Sequence, residues 1–177
     1  ILGPEFVNWC GPASVIEHFG GAAIHYPPGA FGQNNLDVAE RIVEHVRAEV
    51  PEVACVAEFY AGVGAIGLSL LSRVREIRMN EANSHSLHGM ALGIAALDAA
   101  DRARVEVVPG IAGEAMQAAS GADVVIADPP RRGLDRLLLE HLGEQPPERF
   151  LYVSCGLESF VEDTARLTSG GKLRLSG

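Results

Sequence analysis

Three groups of residues in this chain have the types and spacing to do chemistry. The stretch "EFYAGVGAIG", Glu58 to Gly67, contains G-x-G-x-x-G. Gly62 and Gly64 let a backbone turn sharply and approach a ligand with no Cβ in the way, and Glu81 follows at the distance where an acidic side chain can take both hydroxyls of a ribose. Such a loop alone is as often a bare strand-to-helix turn as a nucleotide site. The second group is "ADPPRRGL", Ala127 to Leu134. Two prolines directly after an apolar run fix an extended turn that lacks amide protons, so Asp128 is held pointing over the end of a strand. Arg131 and Arg132 suit phosphate contact, and equally suit a solvated surface. The third group is "LYVSCGLESF", where Cys155 follows an apolar run and precedes a helical pattern. A sulfur facing a helix N-terminus is favoured as thiolate, and a thiolate is a nucleophile. Taken singly, a structural cysteine is the plainer reading of that position.

These groups need a scaffold that brings strand ends together, and the rest of the sequence supplies one. After a hairpin ("SVIEHF", a Gly-Gly turn, "AAIHYP"), "NNLDVAERIVEHVRAEV" places Leu36, Ala39, Ile42, Val43 and Val46 on one face of a helix, with Asn34 or Asn35 as its cap. Strand and helix signals then alternate: "VACVAEFY", a helix from Ala65 to about Ser72, "REIRMNE", a helix from Asn83 to about Leu97, "VEVV", a short helix near Glu114, "DVVIADP", a helix from Gly133 to about Leu142, "RFLYVSC", a helix from Leu157 to about Leu167, and "KLRLS" as a last strand. Short apolar strands separated by amphipathic helices predict parallel crossovers and a doubly wound, Rossmann-like α/β fold with a mostly parallel sheet. In such sheets ligands bind beyond the carboxyl ends of the strands, and Tyr60 to Gly64, Glu81, Asp128 to Gly133, and Ser154 and Cys155 all fall there.

Composition bounds the possibilities. A chain of 177 residues that is 47% hydrophobic can bury one sizeable core. It has no apolar run of the roughly 18 residues a membrane span needs and no charged-then-apolar leader, so it reads as cytoplasmic. The start without Met and the stop on a strand-like segment read as a fragment truncated at its C-terminal strand. Cys10, Cys55 and Cys155 fit neither a disulfide framework nor a zinc site, and the six histidines have no metal-ligand spacing, so no metal is expected. Trp9 and Tyr26 read as packing residues. The formal charge of −9 gives no global attraction for nucleic acid, and any RNA grip must be local or lie elsewhere.

Taken in order, the motifs resemble the RNA uracil-C5 methyltransferase family, which makes 5-methyluridine in tRNA and rRNA. The resemblance runs from about Ser14 onward. It is carried by "FGQNN" at Phe31 to Asn35, "EFYAGVG" at Glu58 to Gly64, Glu81, "DPPRRGL" at Asp128 to Leu134 and "YVSCG" at Tyr152 to Gly156. The resemblance implies S-adenosylmethionine as cofactor, an RNA substrate, and Cys155 as the nucleophile that adds to carbon 6 of uracil. It further implies Gln33, Tyr60, Gly62, Gly64, Glu81 and Asp128 at cofactor-contacting positions, with Gln33 and Asp128 also reaching the edge of a flipped uracil. Residues 1–30 then form an N-terminal segment with the hairpin and residues 31–177 the catalytic domain. Departures from the family pattern stand at Ala61, Gly93, around Ile111, at Gly156 and Leu157, and at Glu162. The family's general base and its RNA-binding barrel are expected outside this chain. Two other classes stay open at this point. A dinucleotide-dependent oxidoreductase would use Gly62, Gly64 and Glu81 but leave Asp128 and Cys155 idle, and a non-catalytic RNA or protein interaction module would keep the fold without turnover.

Overall fold

A computed structural model describes residues 10–176. Trp9 lies outside the described residues. The hairpin forms as β1 (Val15–Phe19) and β2 (Ala22–Tyr26), antiparallel around Gly20 and Gly21. The helix α1 (Leu36–Glu49) follows, capped by Asn35, whose side chain accepts from the Val38 amide. Then come β3 (Cys55–Phe59), α2 (Ala65–Leu70), β4 (Glu76–Glu81), α3 (Ser84–Ala96), the single turn α4 (Ala99–Arg102), β5 (Val105–Pro109), β6 (Val124–Ala127), α5 (Arg136–Glu144), β7 (Arg149–Tyr152) and α6 (Leu157–Ser169).

Strands β3 to β7 make one parallel sheet in the order β5-β4-β3-β6-β7. The chain steps outward from β3 to β5, then returns to the other side of β3, so the order reverses between β3 and β6. The expected doubly wound α/β fold is therefore present. Every residue of β3 and β6 is buried, as a parallel strand covered on both faces requires. Val56 and Ile126 face a layer of α1, α2 and α3, while Ala57, Phe59 and Val125 face α5, α6 and two 3-10 turns at Ala112–Glu114 and Met116–Ala119. The hairpin lies on α2 and α3, with Phe19 and Ile24 buried in the first of these cores. Gly89 permits that packing, because a Cβ there would stand 2.4 Å from the His25 carbonyl oxygen.

Several expectations change in detail. Leu36 is exposed, and α1 buries Ala39, Val43 and Val46 instead. The helix near Glu114 is the pair of 3-10 turns. Helix α5 begins at Arg136 rather than Gly133, because Gly133 is left-handed at φ 86° and Asp135 is a non-helical N-cap whose side chain accepts from the Leu137 amide. "KLRLS" forms no strand among the described residues. No helix among them is long and apolar enough to cross a membrane.

Candidate active site

The glycine loop leaves the end of β3 in an unusual backbone conformation. Tyr60, Gly62 and Gly64 all have φ in the left-handed region, at 60°, 58° and 85°. For the two glycines this costs little, and a Cβ at Gly62 would meet nothing within 4 Å, so that backbone is open to a ligand. For Tyr60 the conformation is strained. Its phenol oxygen accepts a hydrogen bond from the Asp135 amide at 2.8 Å, tying the loop after β3 to the loop after β6.

Glu81 ends β4 and braces the glycine loop from the other side. Its Oε2 accepts from the Gly62 amide at 2.8 Å, and its Oε1 accepts from the Ala82 and Asn83 amides at 2.8 and 2.6 Å. A carboxylate offers about four lone-pair sites, so one remains, on Oε2 beside the glycine loop. That arrangement fits a ribose hydroxyl donating into Oε2 without disturbing the loop. Asn80, fully buried, donates to the Val108 and Gly110 carbonyls and fixes the neighbouring end of β5.

Glu58 is the charge that sequence reasoning passed over. It sits inside β3, 1% exposed, with Oε2 lacking a hydrogen-bond partner among the described residues. Burial first, and the Asp128 carboxylate second, push its pKa up to about 8, with the Gly67 amide pulling the other way. The signal was visible as a glutamate within the apolar run "VACVAEFY". Asp128, half-buried at the end of β6, is raised to about 6 by burial.

The Asp128 loop and the Cys155 loop are bolted together. Asp163 of α6, buried, accepts from the Leu134 amide at 2.9 Å and from the Tyr152 hydroxyl at 2.7 Å. Burial and that bond to Asp163 raise the Tyr152 phenol well above its ordinary value. Ser159 donates to the Arg131 carbonyl at 2.9 Å. Gly133 allows the approach, since a Cβ there would stand 2.5 Å from Asp163 Oδ2. A Cβ at Gly156 would come within 2.7 Å of the Arg131 carbonyl oxygen, so the two loops are in direct contact. Cys155 is exposed, directly ahead of the N-cap residue Gly156 of α6. It lines a groove of about 390 Å³ with Tyr152, Ser154, Gly156, Leu157 and Phe160, at the low end of the ~300–1,000 Å³ typical of small-ligand sites.

Gln33 stands two residues before the N-cap of α1 and is exposed. The last turn of α1 meets the start of β7 through Glu49 and Arg149, 2.8 Å apart. Val38 in its first turn shares a second groove with Tyr152 and Val153 at the end of β7. Helix α1 therefore runs against β7 and delivers Gln33 to the carboxyl edge of the sheet. All seven residues singled out from the sequence thus lie on that edge. Gly62 and Glu81 are hydrogen-bonded to each other, Tyr60 is tied to the Asp128 loop, and that loop touches the Cys155 loop.

No family model matches the chain. An uncharacterized RNA methyltransferase of Protochlamydia amoebophila is 38% identical over 161 residues, covering 91% of this chain and 42% of that protein. The tRNA (uracil(54)-C(5))-methyltransferase of Pyrococcus horikoshii is 32% identical over 140 residues, covering 79% of this chain and 33% of that protein. The crystal structure of the Pyrococcus abyssi tRNA (uracil-54, C5)-methyltransferase in complex with S-adenosyl-L-homocysteine superposes with a TM-score of 0.77 at 25% identity, over 94% of this chain and 42% of that one. Over nearly its whole length the chain matches the catalytic domain of RNA uracil-C5 methyltransferases. It spans about two fifths of the length of the first of these relatives. Within this methyltransferase domain the motifs read from the sequence are the ones that end the strands. Asp163 and Tyr152, which position two of those motifs, carried no signal of that role in the sequence.

Proposed function

We propose that this chain transfers a methyl group from S-adenosylmethionine to carbon 5 of a uridine in tRNA or rRNA, through a covalent adduct at Cys155. The observation that carries the reading is the contact between the Asp128 loop and the Cys155 loop, on the same sheet edge as a glycine loop braced by Glu81. Gly62, Gly64 and Glu81 would hold the cofactor, with Glu81 Oε2 accepting a ribose hydroxyl. When bound, the cofactor supplies an electrophilic sulfonium methyl. Carbon 5 of uracil is too weak a nucleophile to react unaided. Cys155, as thiolate, adds to carbon 6 and moves electron density onto carbon 5; methyl transfer releases S-adenosylhomocysteine, and a base expected outside this chain takes the carbon 5 proton, which expels the thiolate and restores the ring. Asp128, partly protonated near neutral pH, presents a carboxyl to the uracil edge, where Gln33 offers a second amide contact. The uridine must leave its stack to reach them.

Calorimetric titration with S-adenosylhomocysteine and, in parallel, NAD tests the cofactor half. The expected result is binding of the former and not the latter, weakened at least tenfold in Glu81→Ala, since hydrogen bonds to a charged group are worth about 1.5–3 kcal/mol. Binding of NAD instead would reject the reading. Trapping on 5-fluorouridine RNA tests the covalent half: a stable adduct that disappears in Cys155→Ser is expected.

A further inference from the structure

The basic residues of this acidic chain are mostly consumed by the protein itself. Arg78, Arg104, Arg136 and Arg149 sit in ion pairs. Arg47, Arg73, Arg75, Arg102 and Lys172 donate to acceptors of the fold. The side chains of Arg41, Arg131, Arg132, Arg166 and Arg174 make no hydrogen bond or ion pair among the described residues. Of these, Arg131 and Arg132 are adjacent in sequence, both exposed, and stand on the loop that touches the Cys155 loop.

That loop is held at several points around its two exposed arginines. Pro129 and Pro130 stiffen its start. The Arg131 carbonyl accepts from Ser159, the Gly133 amide donates to the Pro130 carbonyl, the Leu134 amide to Asp163 and the Asp135 amide to Tyr60, all at 2.8–2.9 Å. Of the acids on or beside this loop, Asp163 is bound as described and Asp135 caps α5 through the Leu137 amide. Neither these two nor Asp128 forms an ion pair with the arginines among the described residues. Two like charges side by side on a fixed backbone, with no carboxylate in ion-pair contact with either, call for an anion from outside. Next to a nucleophile meant for a nucleotide, the anion of matching chemistry is the phosphodiester backbone, which arginine recognises well and which orients a strand without reading its sequence.

We propose that Arg131 and Arg132 form the phosphate anchor of this site, gripping the RNA backbone beside the nucleotide presented to Cys155. The proposal rests on the RNA methyltransferase reading and adds the residues that hold the strand. A chain of net charge −9 then needs no overall basic surface, because the grip is concentrated where the chemistry occurs.

The test measures binding of a uridine-containing tRNA stem-loop to the full chain by fluorescence anisotropy over a range of salt concentrations. Three proteins are compared: wild type, R131Q/R132Q, and R166Q/R174Q, which removes the same charge. Arg166 lies roughly 14 Å along α6 from its first residue, at about 1.5 Å per residue. Each phosphate contact to a single strand contributes about 0.7 to the slope of log affinity against log salt. R131Q/R132Q is expected to lower that slope by about 1.4 while its affinity for S-adenosylhomocysteine and its melting temperature stay unchanged; R166Q/R174Q is expected to keep the wild-type slope. Equal slopes for wild type and R131Q/R132Q would overturn the anchor and leave the enzymatic reading standing. An equal loss of slope in both double variants would also overturn it, as a general charge effect. Absence of RNA binding by the wild type, with S-adenosylhomocysteine still bound, would overturn the anchor as a grip held within this chain and leave the methyltransferase reading standing.

Discussion

Glu58→Gln is the perturbation whose outcome the structure specifies most closely. An unfolded glutamate titrates near 4.5, and in the fold burial and Asp128 raise Glu58 to about 8. Between those two pH values the folded state holds a proton that the unfolded state has lost. Stability therefore falls as pH rises, by about 1.4 kcal/mol per unit, from a maximum below pH 4.5 until the folded carboxyl ionises. The difference of 3.5 between 4.5 and 8 corresponds to roughly 5 kcal/mol, comparable with the entire stability of many domains. Glu58 is fully buried, so solvent does not screen the effect. Gln has nearly the same shape and no titration. At pH 5 it should be equal to wild type or less stable by about 1–2 kcal/mol, because its amide protons find no partner beside Gly67. At pH 8 to 9 it should be the more stable protein by several kcal/mol, so the two curves cross. Asp128 is also raised but titrates in both proteins and largely cancels in the difference. Urea unfolding followed by circular dichroism from pH 5 to 9 measures this directly. At roughly 2–4 °C per kcal/mol for a chain of this size, the wild-type melting temperature should drop by about 10 °C between pH 5 and 8 from this residue. A difference between the two proteins that stays constant with pH would refute the assignment of Glu58 as a buried neutral acid.

Other substitutions test the packing and the bracing. Gly89→Ala should destabilise the fold by about 1–3 kcal/mol, because its methyl would overlap the His25 carbonyl and push the hairpin off α3; the shift in urea midpoint reads this, and an unchanged midpoint would mean that the hairpin yields freely. Asp163→Ala leaves the Leu134 amide and the Tyr152 hydroxyl without their acceptor and should cost about 2–4 kcal/mol, whereas Asp163→Asn should retain part of it. Thermal unfolding of the two variants, ranked against wild type, checks that order.

The parts of this domain that were legible in the sequence are those governed by local pattern. Apolar β3 and β6, the cap at Asn35, and the Gly62–Gly64 turn each follow from residue types within a few positions. The parts that were not legible depend on partners distant in the chain. Gly133 was expected to start α5, but it is left-handed at φ 86° and the next two residues are held by Asp163 and Tyr60, 29 and 75 residues from the amides they bind, so the helix starts at Arg136. Leu36 fits the periodic face of α1 yet lies too near its start to be covered. The alternating "KLRLS" fails as a strand for another reason: alternation records a preference for two faces, and a strand also needs a neighbour to pair with. Glu58 was legible as an anomaly, an acid in an apolar strand, though nothing nearby in sequence revealed that its outer oxygen would go unpaired.

Tyr60 gives the site a mechanical property. A bulky residue held at φ 60° sits about 1–2 kcal/mol above its preferred conformations, and its phenol is fastened to the amide of Asp135, at the far end of the loop after β6. The bond bridges the place where the strand order reverses. It joins β3 and β4, which carry the glycine loop and Glu81, to β6 and β7, which carry Asp128 and Cys155. Displacing either loop by an ångström must snap this strut or drag the opposite loop along. A ligand settling on one side of the cleft therefore sets the clearance on the other.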